Sequence, residues 1–365
     1  MNDKVVSVDK SDNYRIIAIS DVHGHLEILK SLINKIELKD DDYLVILGDF
    51  INRGPDSLGC LIYMKELLLR PNTFVLKGNH EYFVHDSMLN KDISSKLLKF
   101  LQGDYYQTLI HDLANEVDFD LYNCDNVDDF HSIMISNFLD ELNFIKNLPI
   151  IFEIDEFIFV HGGYDKSFDV RVDELKYLKY DDYLKKGSKS SKNVVVGHWP
   201  TSNLRDDVFT NSPLIDVDKK IISIDGGLGV KTAGELNAFI IEKNNSNISY
   251  RCVQENNFDR FKIKMNHEFE VEDKVLINYP HFDVDIIKHG EELSLCRHRY
   301  SNKKLSVLNS LLTKKDNHHI VNLIFINNFI NLEVGEEVEF VLTVDEYVFV
   351  KYKDEFGWIL KKQII

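Results

Sequence analysis

Short apolar runs alternate with amphipathic stretches over the first two thirds of the chain, which is the pattern of an α/β layered domain. Residues 14–20 (YRIIAIS) and 42–47 (DYLVIL) read as buried strands. Between them Leu26, Leu29, Leu32, Ile33 and Ile36 recur at helical spacing, so a helix follows the loop at residues 21–25. A second helix is expected with Leu58, Leu61, Ile62, Leu68 and Leu69 on its apolar face, ending near Pro71, and residues 73–76 (TFVL) supply a third strand. Residues 82–148 are helical in pattern and read as a cap-like insertion. Strand patterns return at 157–160, 194–196, 221–224 and 236–241, and these four predict a second sheet.

The chain turns polar around Lys243, Asn244, Asn245, Ser246 and Asn247, which places a boundary between a first domain at residues 1–250 and a second at 260–365. The second is expected to be β-rich, with strand-like runs at 275–279, 292–296, 337–344 and 347–352. Its ending, YVFVKYKDEFGWILKKQI, resembles the last hairpin of an SH3-like barrel.

Composition narrows the partners. With 43 Lys+Arg against 60 Asp+Glu, the formal charge of -17 repels a phosphate polymer over most of the surface, so no nucleic-acid partner is expected. A compact phosphorylated substrate stays compatible, because divalent cations can reverse the field inside one cleft. Cys60, Cys124, Cys252 and Cys296 lie far apart with no C-x-x-C pair, and read as reduced and structural. There is no membrane-length apolar run and the opening residues lack a signal-peptide core, so no membrane association and a cytoplasmic location are expected.

Most of the predicted strands end in a polar cluster. Asp21-Val-His23-Gly24-His25 follows the first, Gly48-Asp49 and Arg53-Gly54 the second, and Gly78-Asn79-His80-Glu81 the third. His161-Gly162-Gly163 and Gly197-His198 follow two later ones. Ligands of layered α/β domains bind outside the carboxyl ends of strands, so these clusters can converge on one cleft. Carboxylate, imidazole and amide oxygen without cysteine suit a borderline-hard divalent metal rather than a structural zinc site. One carboxylate, Asp49 being the best placed, can bridge two metals.

The order DVHG, GDFINRG, GNHE, HGG, GH resembles the PPP-type metallophosphoesterases, which include Ser/Thr protein phosphatases and diadenosine tetraphosphatases. The resemblance covers about residues 14–242. It implies a sandwich of two sheets flanked by helices and a metal set of Asp21, His23, Asp49, Asn79, His161 and His198. It also implies two divalent ions, Mn2+ first and Fe or Zn as alternatives, with Arg53 as a phosphate clamp. His80 is implied as the acid that protonates the leaving alkoxide.

Two positions depart from the family pattern. Asn52 stands where GDxxDRG places an Asp that orients and charges the catalytic histidine, so His80 and Asn52 are assigned together to the catalytic apparatus. The arginine usually found between HGG and GH is missing, with Tyr180 near its place; Arg205 is the preferred substitute and Arg171 the alternative. The expected activity is hydrolysis of phosphomonoesters, with phosphoserine or phosphothreonine in proteins as the leading substrate and a small phosphoester as the other. The alternatives are a diadenosine polyphosphate hydrolase and a catalytically weak phospho-ligand binding protein that contacts a protein partner through the C-terminal domain. His25, His85, His111, His131, His318 and His319 match no motif and read as ordinary residues, and Asp225-Gly226-Gly227 reads as structural.

Overall fold

The structure is a computed structural model that describes residues 4–10, 12–89, 91–103, 105–269 and 273–364. Contacts divide these into two units, one running to Pro200 and resuming at Ser212–Asn256, the other made of Thr201–Asn211 and the residues from Asn257 on.

The first unit is built of β1 (Val5–Val8), β2 (Tyr14–Ile19), α1 (Leu26–Lys35), β3 (Tyr43–Ile46), α2 (Ser57–Leu67), β4 (Thr73–Val75), α3 (Asn79–Leu89), α4 (Lys91–Leu101), α5 (Leu109–Glu116) and α6 (Val127–Asn147). It continues with β5 (Ile151–Ile154), β6 (Phe157–Val160), α7 (Glu174–Leu178), α8 (Tyr183–Lys186), β7 (Asn193–Val196), β8 (Leu214–Asp216), β9 (Ile221–Ser223), β10 (Leu236–Asn244) and β11 (Asn247–Glu255). Five strands form one sheet in the order β11-β10-β2-β3-β4, and six form another in the order β1-β5-β6-β7-β9-β8.

Strand side chains alternate between faces, and here both faces are apolar because both are covered. Ile16, Ala18, Val45, Phe152, Phe159, Val195 and Ile222 fill the space between the sheets. Ile17, Ile19, Leu44 and Ile46 face outward into a core shared with α1, α2 and the helices up to Leu148. Ile158, Val160, Val194 and Val196 pack the other outer face against Tyr177, Leu178 and Tyr183. The result is an α/β sandwich, two sheets between helical layers.

The structure corrects the sequence reading at three places. The 236–241 run does not join the second sheet; β10 pairs antiparallel with β2, Phe239 opposite Ala18, and extends the first. The face of α2 is also different: Ser57, Cys60, Leu61, Met64 and Leu67 are buried at i, i+3, i+4 spacing, whereas Leu69 is 85% exposed. The helix stops at Leu67, so Leu68 and Leu69 lose the register that would have carried them inward. Thr201–Asn211, expected within the first domain, groups with the second unit because the buried Phe209 ring packs on Phe356 at 4.9 Å and Phe349 at 5.9 Å.

The second unit is β-rich. Asp259–Lys262, Glu337–Val344, Tyr347–Tyr352 and Glu355–Leu360 form a four-stranded antiparallel sheet, and the last two make the hairpin read from the terminal residues. Lys304–Leu308, Leu293–His298, Asp283–Lys288, His318–Val321 and Leu312–Lys315 form a five-stranded one, in that order. Among the described residues no helix is long and apolar enough to cross a membrane, and the four cysteines are free.

Candidate metal centre

Strands β2, β3 and β4 run parallel, as do β6 and β7, so their carboxyl ends share a side of their sheets. Hydrogen bonds join the sheets there, two of them at the candidate ligands. His161 Nδ1 lies 2.9 Å from Leu47 O, and the His198 N–H donates to Asp21 Oδ2 at 3.0 Å. The loops after β2 and β3 are knitted together by His23 N–H to Asp49 O at 2.9 Å and Gly54 N–H to His23 O at 2.9 Å. A Cβ at Gly48 would collide with the Gly78 backbone, and one at Gly197 with the Ser20 and Asp21 side chains, so these glycines permit the close approach.

Six side chains of the cleft stand on left-handed backbone: Asp21 (φ 58), His23 (φ 47), Asp49 (φ 51), Asn52 (φ 68), Arg53 (φ 75) and His198 (φ 66). This conformation costs of order 1–3 kcal/mol for a residue with a Cβ and persists only where surrounding bonds over-determine it. Glu81 provides much of that determination. Its buried carboxylate accepts from Asp49 N–H and Gly78 N–H at 2.8 Å each, from Phe50 N–H at 2.9 Å and from Ile51 N–H at 3.3 Å. Burial and the Asp49 carboxylate push Glu81 up to about 8, and the backbone donors oppose them.

The donors converge on Asp49. Ligand atoms of His23, Asp49 and His80 lie within 4.8 Å of one another, as do those of Asp49, His161 and His198. Asp21 borders the first group, its Oδ1 lying 3.9 Å from His23 Nε2. Asn79 borders the second, its Oδ1 lying 3.1 Å from His161 Nε2. Among the sequence-predicted positions, the structure thus brings Asp21, His23, Asp49, Asn79, His80, His161 and His198 together. Asn52 joins them through His80 Nδ1 at 3.0 Å, and Arg53 follows Asn52 with its guanidinium 4.8 Å from the Tyr106 ring. Arg205 lies in the segment that groups with the second unit, and Arg171 lines a 460 Å³ cavity beside Lys4, Phe168 and Tyr177.

The donor set fits divalent cations. Because His161 Nδ1 donates to Leu47 O, Nε2 of the neutral ring is a bare acceptor, yet it faces Asp49 Oδ2 at 3.2 Å and Asn79 Oδ1 at 3.1 Å. Three acceptors in contact, His161 and Asp49 buried and Asn79 half-buried, require a cation or a proton between them. Burial opposes charge on His161, but the Asp49 and Asp21 carboxylates outweigh it and hold the imidazole up to about 10. Burial, with Asp49 close by, raises Asp21 to about 6 even though His161 counteracts it. At His80 the balance is reversed: burial, aided by Arg53 and opposed by Asp49, lowers it to about 4.

Partners outside the cluster fix the ring orientations, as ligand histidines require. His23 Nδ1 lies 3.4 Å from Ile51 O, and His198 Nε2 lies 2.9 Å from Asp181 Oδ1, which leaves His198 Nδ1 available as a ligand. Asp181, Glu81 and Tyr106 carry no assignment from the sequence. Glu81 was visible in GNHE, but nothing local tells that its carboxylate turns back onto residues 49–51. Asp225, read as structural, is fully buried with Oδ1 accepting the Gly227 N–H at 2.7 Å, and burial and the Asp21 carboxylate push its pKa well above the usual carboxylate range.

The chain is 29% identical over 111 residues to serine/threonine-protein phosphatase 1 of Salmonella typhimurium, covering 30% of this chain and 49% of that protein. It is 28% identical over 170 residues to the symmetrical bis(5'-nucleosyl)-tetraphosphatase of Buchnera aphidicola, covering 46% of this chain and 50% of that one. The matched part therefore spans half or less of these curated relatives. A cold-active protein-tyrosine phosphatase of Shewanella superposes with a TM-score of 0.43 at 17% identity, over 68% of this chain and 82% of that one. The family model described as calcineurin-like phosphoesterase matches residues 14–218, from the strand that precedes Asp21 to beyond His198, and the chain belongs to that family of metal-dependent hydrolases.

Proposed function

We propose that this chain hydrolyses phosphate esters or anhydrides by in-line attack of water on phosphorus, with Mn2+ as the resident ion pair. The observation that carries the reading is the pair of buried donor groups that share Asp49. Two divalent cations, held by Asp21, His23, Asp49, Asn79, His161 and His198, would supply Lewis acidity and a nucleophilic water at neutral pH.

The chain's own groups do the rest. Arg53 offers a planar fork to two phosphoryl oxygens, its guanidinium resting on the Tyr106 ring. His80 meets the departing oxygen, positioned by its backbone N–H on Asp49 Oδ1 at 2.8 Å and by Asn52 at Nδ1. Glu81 holds the Asp49 loop in its left-handed conformation.

Two substrate classes follow from the relatives' names. Phosphoserine or phosphothreonine in proteins corresponds to the Salmonella phosphatase, and dinucleoside polyphosphates to the Buchnera tetraphosphatase. A neutral amide at residue 52, where a carboxylate would support a charged His80, favours the second class. The reading is tested by turnover of p-nitrophenyl phosphate with added Mn2+, beside His80→Ala, followed by parallel assays on a phosphopeptide and diadenosine tetraphosphate. A fall of about a hundredfold in His80→Ala is expected, as for the loss of one hydrogen-bond donor to the charge that develops on the departing oxygen. Equal rates for the two proteins would favour a phospho-ligand binding protein instead.

A further inference from the structure

We propose that Asn52 holds His80 in one neutral tautomer, protonated on Nε2, and that the site therefore selects substrates whose leaving group departs without taking a proton. The second half rests on the hydrolase reading; the first stands on geometry alone.

Asn52 is fully buried, and its Oδ1 accepts the Leu109 N–H at 2.8 Å. A backbone N–H can only donate, so the amide oxygen must face Leu109 and the amide nitrogen must face His80. The flipped amide would set two donors against each other in a dry site. Nδ2 then donates to His80 Nδ1 across 3.0 Å, which obliges Nδ1 to be the acceptor. A neutral imidazole that accepts at Nδ1 carries its proton at Nε2.

The amide is also clamped in place. Asn52 N–H donates to Ser57 Oγ at 2.8 Å, and Arg53 N–H to Gln107 O at 2.7 Å. Asp112, on α5, accepts from Ser57 N–H at 2.9 Å and Leu58 N–H at 3.1 Å. Residues 107–112 thus clasp the 52–58 turn, and the helical segment acts as the frame of the Asn52–His80 pair.

The consequence is chemical. Nε2–H can hydrogen-bond a departing oxygen, but giving its proton away would leave an imidazolate inside the protein. In the hydrolysis the water oxygen bonds to phosphorus while the bond to the leaving oxygen breaks. The leaving oxygen keeps the electron pair, and the proton released by water goes to solvent. A phosphate or phenolate leaving group carries that pair as a stable anion, whereas a serine or other alkyl alkoxide needs a proton. Phosphoanhydrides and aryl esters are therefore favoured over alkyl phosphates.

The test uses the full chain labelled with [15N]histidine and loaded with diamagnetic Zn2+, with His80→Gln identifying the His80 signals. Wild type is expected to show Nδ1 bare and Nε2 protonated. Asn52→Asp replaces the amide nitrogen by an oxygen that can only accept, so Nδ1 should become protonated. With Mn2+, the ratio of kcat/KM for a phosphoserine peptide to that for p-nitrophenyl phosphate should then rise about tenfold or more. Asn52→Ala, which frees the ring without supplying an acceptor, should not reproduce that rise. A protonated Nδ1 in wild type overturns the tautomer assignment. An unchanged ratio in Asn52→Asp, or the same rise in Asn52→Ala, overturns the selection. No turnover of either ester or of diadenosine tetraphosphate, with the expected tautomer, overturns the hydrolase reading and the selection with it, while the tautomer stands.

Discussion

The two sides of Asp49 treat histidine in opposite ways. On one side His161 faces carboxylate and amide oxygens, and despite its burial it is held up to about 10. On the other, His80 lies between an amide nitrogen and the Arg53–Tyr106 pair, and burial with Arg53 takes it down to about 4. Both rings are buried, so burial alone does not separate them. The difference lies in where the carboxylates point: the negative field is concentrated where a cation would sit and withheld where a departing oxygen would be met. One residue, Asp49, serves both sides, its Oδ2 turned to His161 and its Oδ1 accepting the His80 N–H.

Removing that shared residue should have the largest effect. Asp49→Asn is expected to lower kcat/KM by at least roughly a thousandfold and to cost bound metal, read by kinetics and elemental analysis. Full metal content in an active Asp49→Asn protein would break the comparison at its centre.

Acid and base should pull the metal-free protein apart from opposite sides. His161 is raised above its unfolded value, so its contribution to stability is present below about pH 6.5 and is lost as pH rises through about 10. His80 is depressed, so stability is lost as pH falls from about 6.5 through about 4, where the unfolded chain takes up the proton first. Urea titrations of chelated protein should show His161→Gln flattening the alkaline limb and His80→Gln the acid limb. Each slope is bounded by about 1.4 kcal/mol per pH unit.

Glu81 supports both sides, because it holds the loop that carries Asp49. In Glu81→Gln the amide nitrogen faces two backbone N–H groups that the carboxylate oxygen had accepted. Each orphaned donor costs about 1–3 kcal/mol, visible in thermal unfolding. Activity should fall roughly ten- to a hundredfold, as for other groups that orient metal ligands. The smallest effect belongs to Tyr106→Ala, which removes the ring under Arg53 and should raise KM about two- to fivefold while leaving metal content intact. Tyr106→Phe should restore it; loss of metal in either variant would blur the division between the sides.

Much of this was legible in the chain, and the gaps have physical causes. Asp21, Asp49, Asn79, His161 and His198 each follow an apolar run, and strand ends of one layered domain are brought together by topology. The β-rich character of the tail was legible for the same reason, since strand periodicity is local. What periodicity does not carry is partnership: the 236–241 run is equally apolar in either sheet, and only pairing with β2 places β10. Leu109 and Asn52 lie 57 residues apart, and their bond is between a backbone N–H and a side chain, which no residue pattern announces. Asp181 on His198 and Tyr106 on Arg53 were hidden likewise, being contacts made by tertiary packing alone.

The most direct test of the shared-carboxylate cluster is anomalous diffraction from crystals of the full chain grown with Mn2+. Two manganese peaks are expected on either side of Asp49, one against Asp21 and His23, the other against Asn79, His161 and His198. A single peak away from Asp49, or full occupancy by manganese elsewhere with this cluster empty, would contradict the account.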